Sequence, residues 1–128
     1  MFAGRGFRLD GRRALGRRGE EEAVRYLRSR GYHILARGFR ISRGEVDIIA
    51  RQGETIVFVE VRTRGRTKFG LPLESVREPK QKQVRKIALA YLHRNRLPEE
   101  RTACRFDILS VVWGEGRAPA FTHIENAF

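Results

Sequence analysis

The sequence predicts a small α/β fold in which a mixed β-sheet is flanked by helices. Three observations favour this class. An amphipathic pattern of helical period opens the domain, three strand-like segments follow it, and a second helical pattern precedes a last apolar strand. The resulting order is α-β-β-β-α-β. A chain of 128 residues is long enough for one such domain and too short for two.

Each element has its own signal. The first helix is expected to stop at Gly31, a usual terminator, and a turn at Gln52-Gly53 joins the second and third strands. The second helix begins with Pro79 near its first position. The predicted elements are, in order, a helix over residues 13–30, strands over 32–41, 46–51 and 55–63, a helix over 79–95, a strand over 105–113 and a short tail that ends with 123–128.

Composition restricts the partners of the chain. It carries 27 Lys and Arg residues against 15 Asp and Glu residues, a formal net charge of +12. Such an excess attracts phosphate backbones, anionic membrane surfaces or acidic proteins. No apolar run approaches the roughly 20 residues of a membrane span, and the single cysteine, Cys104, excludes an internal disulfide. We predict a soluble cytoplasmic protein without a membrane partner, with residues 1–13 as a flexible basic arm and 14–128 as one domain.

Two carboxylates occupy positions where a strand should carry apolar side chains. Asp47 lies in the second strand, and Glu60 lies within IVFVEVR, a segment otherwise apolar enough to be a central strand. The predicted turn places Asp47 opposite Phe58 and on the same face as Glu60 and Arg62. Like charges so close together are costly, so the pair predicts a neutralising cation or proton.

The first helix contributes a further acid. At about 100° per residue, Glu20 falls within the apolar face of this helix, whereas Glu21 points to solvent. A carboxylate turned toward a core needs a partner, and the strand acids could share a metal with it. Mg²⁺ or Mn²⁺ suits such oxygen ligands and would complete its shell with water and a substrate phosphate. For any single acid, the alternative is an ordinary ion pair with one of the many arginines.

Basic residues surround the predicted acids. They crowd the start of the second helix and the loop after the third strand, where they could follow a phosphate backbone with salt-dependent affinity. A solvated helix face would show the same charge run. The basic residues predicted to bind nucleic acid are Arg64, Arg66, Lys68, Lys80, Lys82, Arg85 and Lys86.

Several motifs, in order along the chain, are similar to those of a known family. GEEEA (19–23), GEVDIIA (44–50), VFVEVR (57–62), RFDIL (105–109) and HIENAF (123–128) resemble the bacterial YraN family, a group related to archaeal Holliday-junction resolvases. Asp47 followed by Glu60-Val61-Arg62 also resembles the D…(D/E)-x-K signature of restriction-endonuclease-like nucleases. The resemblance covers nearly everything after Leu15.

The resemblance implies a restriction-endonuclease-like fold and a Mg²⁺- or Mn²⁺-dependent site. Asp47 and Glu60 would be metal ligands, with the Val61 carbonyl as a third, and Glu20 would match the first-helix acid of the resolvase-type site. Arg62 would complete the catalytic set. The implied function is a nuclease-like protein that binds and cleaves DNA, in particular branched or junction DNA.

Two features leave alternatives open. Arg62 stands in the lysine position, and arginine stays charged, so it can bind or orient but cannot change protonation. A non-catalytic nucleic-acid-binding module, or an adaptor for acidic protein partners, therefore remains an alternative. A resolvase acting on two strands would need a symmetric homodimer, for which the sequence shows no clear element. Gln83 stands where related nucleases carry a polar site residue, and we add it to the nucleic-acid-binding set.

Overall fold

The computed structural model describes residues 3–42, 44–64, 78–114 and 118–128, with side chains from residue 16 onwards except that of residue 64. The predicted α/β class and element order are confirmed. The elements are α1 (Ala3–Ser29), β1 (His33–Ile41), β2 (Gly44–Gln52), β3 (Thr55–Arg64), α2 (Glu78–Arg94), a short 3₁₀ turn (Glu99–Arg101), β4 (Cys104–Val112) and β5 (Ala120–Ile124).

The five strands form one mixed sheet in the order β1-β2-β3-β4-β5. Neighbouring strands are antiparallel except β3 and β4, which run parallel, and α2 lies in the crossover that a parallel pair requires. Each helix covers one face of the sheet. The core on the α1 side includes Ala23, Val24, Leu27, Ile48, Val59 and Leu109, and the core on the α2 side includes Val46, Ile49, Phe58, Val84, Ile87 and Phe106.

The structure differs from the sequence prediction at both ends. Helix α1 begins at Ala3 rather than at residue 13, although glycines at 4, 6 and 11 favour a later start by propensity alone. The predicted tail contains a strand, β5, that pairs antiparallel with β4. This pairing supplies backbone hydrogen bonds to an edge that would otherwise stay open. The division into an arm and a domain stays a prediction.

Asp107, fully buried in β4, ties the C-terminal residues to the sheet. Arg105 donates from Nε to Oδ1 (2.9 Å) and from Nη2 to Oδ2 (2.8 Å), while the ring of His123 and the backbone N–H of Asn126 supply two more hydrogen bonds. Arg105 Nη2 also donates to the Tyr32 hydroxyl at the start of the sheet. Burial opposes ionisation, but the hydrogen bonds hold the pKa of Asp107 below its ordinary value.

Asp107→Asn is expected to destabilise the fold. The substitution removes the carboxylate that pairs at close range with the largely buried guanidinium of Arg105, which costs roughly 3 kcal/mol in the free energy of unfolding at pH 7. Because the folded-state pKa of Asp107 is lowered, this stability is present above the unfolded pKa of about 3.9 and is lost as pH falls through the lower folded value. Urea denaturation at pH 7 and pH 3 measures both effects.

The matched control is Glu125→Gln. Glu125 lies 3.5 Å from the same arginine, but its side chain is 58% exposed, so a change within about 0.5 kcal/mol is expected. Equal losses in the two variants would contradict the assignment of Asp107 as the buried anchor.

Candidate functional site

The β2–β3 turn lies one residue later than the predicted Gln52-Gly53. Gln52 pairs with Thr55, so Gly53 and the residue after it form the loop. Gly53 has φ 60°, a value suited to the first position of a tight two-residue hairpin turn. The predicted pairing of Asp47 with Phe58 is therefore wrong. If the observed register is continued by one residue beyond Ile48 and Val59, Asp47 lies across from Glu60.

The strands β2 and β3 separate at the candidate site. Their pairing stops at Ile48 and Val59, whereas β3 continues beside β4. Just beyond, the backbone N–H of Val61 donates to Oδ2 of Asp47 at 2.8 Å. The carboxylate thus takes a place that a strand carbonyl would otherwise fill, in the gap between the two strands.

The alternation of side chains along β2 is interrupted at Asp47. Val46 packs in the α2-side core and Ile48 in the α1-side core, although residues two apart on a regular strand share a face. Gly38, which the β1–β2 register places across from Asp47, has φ 62°, a conformation that glycine adopts readily. The prediction that Asp47 and Glu60 share a face assumed regular alternation along β2, and that assumption is wrong at this position. Asp47 instead approaches Glu60 in the gap between β2 and β3.

Helix α1 brings Glu20 beside Asp47. Gly19 is buried against β3, where an added methyl group would collide with the Thr63 side chain. The helix can approach the strand this closely because position 19 has no side chain. The next residue, Glu20, is half-buried, and burial followed by the charge of Asp47 raises its pKa. We call Glu20, Asp47 and Glu60 the acid cluster.

The surroundings of the acid cluster disfavour the ionised form of its carboxyl groups. Burial is the largest cause that raises the pKa of Asp47, and a backbone hydrogen bond opposes it. Burial, followed by the charge of Asp47, raises the pKa of Glu60 to about 7, against the charges of Lys80 and Arg62. A bound cation would relieve this cost, and carboxyls shifted in this way are common at functional sites.

The donors of the acid cluster fit a hard divalent cation. Among the side chains that the structure describes, no three His, Cys, Asp or Glu groups form a metal cage on their own. Mg²⁺ does not need one, since it usually takes one or two protein carboxylates and completes its octahedron with water and substrate phosphate. Asp47 and Glu60 meet that requirement. Direct ligation by Glu20 or by the Val61 carbonyl stays a prediction.

Part of the predicted basic set lines a cleft beside the β1–β2 turn. Lys82, Gln83 and Lys86 face Ile41 across this cleft of about 320 Å³. The side chain of Gln83 lies tightly over Gly44, where a Cβ would fall 2.8 Å from its amide carbon. The cleft therefore adjoins the start of β2, the strand that carries Asp47.

The other predicted basic residues are placed differently. The guanidinium of Arg85 lies 4.9 Å above the ring of Phe106, so this side chain has a structural contact, and its contact with nucleic acid stays a prediction. Arg66 and Lys68 lie outside the described residues, as does the side chain of Arg64.

Lys80 has a contact that the sequence did not indicate. Its Nζ lies 3.7 Å from Oε1 of Glu60, with 36% and 13% of the two side chains exposed. Residues 65–77 separate β3 from α2. No local sequence pattern predicts which part of the sheet the first turn of α2 lies against. The one available signal is general: a crossover helix starts near the carboxyl end of the strand before it.

A cleft of about 490 Å³ lies elsewhere, between α2 and the 3₁₀ turn. Its lining is mainly apolar, with Leu89, Leu92 and Leu97, and includes no member of the acid cluster. Because titratable groups with shifted pKa values gather at the strand gap instead, we place the candidate site there.

Comparison with known proteins identifies the family. The model of "Uncharacterised protein family UPF0102" matches residues 19–111, a segment that contains the whole acid cluster. The chain belongs to the UPF0102 family. This confirms the resemblance to the YraN family, which is the same group.

Family members from distant bacteria match almost their full length. A UPF0102 protein of Trichlorobacter lovleyi is 48% identical over 120 residues, which cover 92% of each chain. A UPF0102 protein of Geobacter metallireducens is 46% identical over 91% of this chain and 93% of its own. One of Nocardia farcinica is 40% identical over 94% of both. The described helices include none that is long and apolar enough to cross a membrane; the compartment stays a prediction.

Glu60→Gln is expected to stabilise the protein at pH 8. The pKa of Glu60 is about 7 in the folded state against 4.5 for the free group, so the folded state binds this proton more tightly. The stability that proton binding contributes is full below pH of about 4.5 and is lost as pH rises through 7. The uncharged amide avoids this loss, which predicts a free energy of unfolding about 2 kcal/mol higher than wild type at pH 8.

Urea denaturation at pH 5 and pH 8 tests this expectation. The gain should be small at pH 5, and Glu22→Gln, which removes a partly exposed acid paired with the exposed Arg25, should change stability by no more than about 0.5 kcal/mol at either pH. A Glu60→Gln variant that is less stable than wild type at pH 8 would show that the carboxylate is a net structural asset.

Proposed function

We propose that this protein is a metal-dependent nuclease-like protein that binds and hydrolyses nucleic acid, with DNA favoured over RNA. One observation carries the proposal: Asp47 and Glu60 are held together, largely desolvated, in a gap of the sheet, and the pKa of Glu60 rises to about 7. Two acids kept at such a cost in a chain of net charge +12 are suited to holding a divalent cation against a polyanion.

Neighbouring acids show how this protein neutralises carboxylates that have no such task. Glu45 lies 2.8 Å from Arg40, and Glu22 lies 3.1 Å from Arg25, so each has a close guanidinium. Glu60 is more buried than either, and although the charges of Lys80 and Arg62 act on it, burial and the charge of Asp47 still raise its pKa to about 7. This net cost favours a cation site over an ordinary ion pair.

The residues of the gap have separate tasks in this proposal. A divalent cation, when bound, would polarise the phosphoryl oxygen and lower the pKa of a coordinated water. Asp47 and Glu60 would hold it, and the Val61 N–H fixes the orientation of the Asp47 carboxylate. Arg62 keeps its charge at every relevant pH and would stabilise the negative phosphate in the transition state. Glu20 would accept hydrogen bonds from water on the α1 side.

The substrate class follows from charge and from the family resemblance. Lys82 and Lys86 line a cleft that leads toward β2, and lysines of this kind contact phosphates without reading sequence. The relation to Holliday-junction resolvases favours branched DNA, in which shape matters more than sequence. Action on two strands would require a symmetric homodimer.

A non-catalytic nucleic-acid-binding module is the second candidate, and Arg62 is the observation that favours it. A lysine in this position can assist a water molecule by changing its protonation, whereas arginine cannot. In that case the acid cluster would bind a cation that only bridges protein and phosphate.

Cleavage of junction, duplex and single-stranded DNA tests the two candidates. Wild type is expected to cut junction DNA with Mg²⁺ or Mn²⁺ and to stop when a chelator is added. Asp47→Asn and Glu60→Gln should each slow cleavage by at least roughly 100-fold, since even residues that only support metal ligands cost 10–100-fold. The rate is measured by gel electrophoresis of labelled DNA under single-turnover conditions.

Glu22→Gln is the matched control and should cut at the wild-type rate. Cleavage that persists in both site variants would refute the assignment of the site. Salt-sensitive binding without cleavage by wild type would support the binding module instead.

The basic cleft gives a separate prediction. The double variant Lys82→Met/Lys86→Met should weaken binding of duplex and junction DNA alike, and the slope of log K against log salt should become shallower by about 2, because each phosphate contact contributes about 0.9. Fluorescence anisotropy over a salt series measures the slope. Arg25→Met/Arg28→Met, which removes two exposed charges of α1, should leave the slope nearly unchanged; equal effects would point to net charge alone.

A further inference from the structure

Lys80 approaches Asp47 and Glu60 from the α2 side, whereas Glu20 approaches Asp47 from the α1 side. Lys80 lies near the start of α2, with its Nζ 3.7 Å from Oε1 of Glu60. Burial raises the pKa of Asp47 and of Glu60, and the charge of Lys80 acts against that rise at both. Lys80 therefore influences both candidate metal ligands although it belongs to neither strand.

The contact between Lys80 and Glu60 is loose. Its 3.7 Å exceeds the 2.8 Å of the Arg40 contact with Glu45, and 36% of the Lys80 side chain is exposed. A lysine ammonium on a flexible four-carbon stem can turn to a new acceptor without moving the backbone. Lys82, two residues on, has a 73% exposed side chain and pairs with an acid of its own helix. The contact with Glu60 therefore singles out Lys80.

A divalent cation and the Lys80 ammonium cannot both occupy the same side of the Glu60 carboxylate. Two positive charges a few ångströms apart repel strongly in half-buried surroundings, where solvent screening is weak. Binding of the cation at Oε1 of Glu60 therefore requires Lys80 to leave that oxygen. The nearest new anion would be a substrate phosphate held by the same cation, and an ammonium forms strong charge-assisted hydrogen bonds with phosphate.

We propose that Lys80 is the resident counter-ion of the acid cluster, which the divalent cation displaces from Glu60 and which then binds the substrate phosphate. This inference rests on the proposed function and adds to it a positioning group that couples the two ligands. In the metal-free protein, Lys80 holds the acids together. In the loaded protein, it faces the phosphodiester, so metal and substrate favour each other's binding.

Lys80→Met tests the displacement directly. Isothermal titration calorimetry with Mg²⁺ alone, without nucleic acid and at pH 8.5, measures the affinity of the acid cluster when its carboxylates are ionised. Because the variant has no ammonium to displace, it should bind Mg²⁺ about three- to tenfold more tightly than wild type. At saturating Mg²⁺, its cleavage of junction DNA should nevertheless fall at least about tenfold, since the phosphate has lost its cation.

Opposite changes in the two measurements distinguish this role from simple support of the fold. Lys80→Arg keeps the charge and should restore a Mg²⁺ affinity near wild type together with part of the cleavage rate. Arg25→Met removes the same charge from an exposed ion pair and should change neither. Lys80→Gln serves as a second uncharged variant, and circular dichroism verifies that each variant is folded.

The outcomes separate this inference from the proposed function. If Asp47→Asn abolishes Mg²⁺ binding but Lys80→Met binds Mg²⁺ no more tightly than wild type, the counter-ion role is refuted and the metal site stands. If the wild-type protein binds no Mg²⁺, both are refuted. Tighter Mg²⁺ binding with an unchanged cleavage rate would refute the contact with phosphate.

Discussion

The site depends on one irregularity of the sheet. Over most of the sheet the two helices cover opposite faces, so a group on α1 does not approach a group on α2. Between Gly38 and Asp47 the alternation fails, and β2 leaves β3 just beyond Ile48. At that gap Glu20 of α1 interacts electrostatically with Asp47, and Lys80 of α2 acts on both Asp47 and Glu60. If β2 were straight and fully paired with β3, Glu20 and Lys80 would lie on opposite faces of the sheet and would not interact with the same carboxylates.

Two aspartates in this sheet illustrate how surroundings decide the use of a buried charge. Asp107 accepts hydrogen bonds from Arg105, His123 and Asn126, and its pKa lies below the ordinary value. Asp47 is shifted in the opposite direction, because burial outweighs its hydrogen bond from Val61. The first charge is satisfied by the protein and stabilises the fold. For Asp47, burial outweighs the groups that favour its ionised form, and the proposed cation would relieve this imbalance.

Sequence patterns predicted the class, the order of elements and the proximity of Glu20, Asp47 and Glu60, because these depend on local periodicity and on charge in apolar segments. They did not predict the close packing of Gly19 against Thr63, the exact turn at Gly53 or the contact of Lys80, because each depends on how distant segments pack. The fifth strand was missed because it has only five residues and follows a glycine-containing segment of the sequence. Asp47 and Glu60 were associated correctly, but through an alternation that the strand does not keep.

The segment that follows β4 has a consequence for how this protein tolerates trimming. Strand β5 pairs with β4, His123 and Asn126 hydrogen-bond to Asp107, and Phe128 stacks on Phe106 with ring centroids 5.3 Å apart. Loss of residues 120–128 would remove two partners of the buried Asp107 carboxylate and open one edge of β4. A chain that loses these residues is therefore expected to aggregate through the exposed edge of β4.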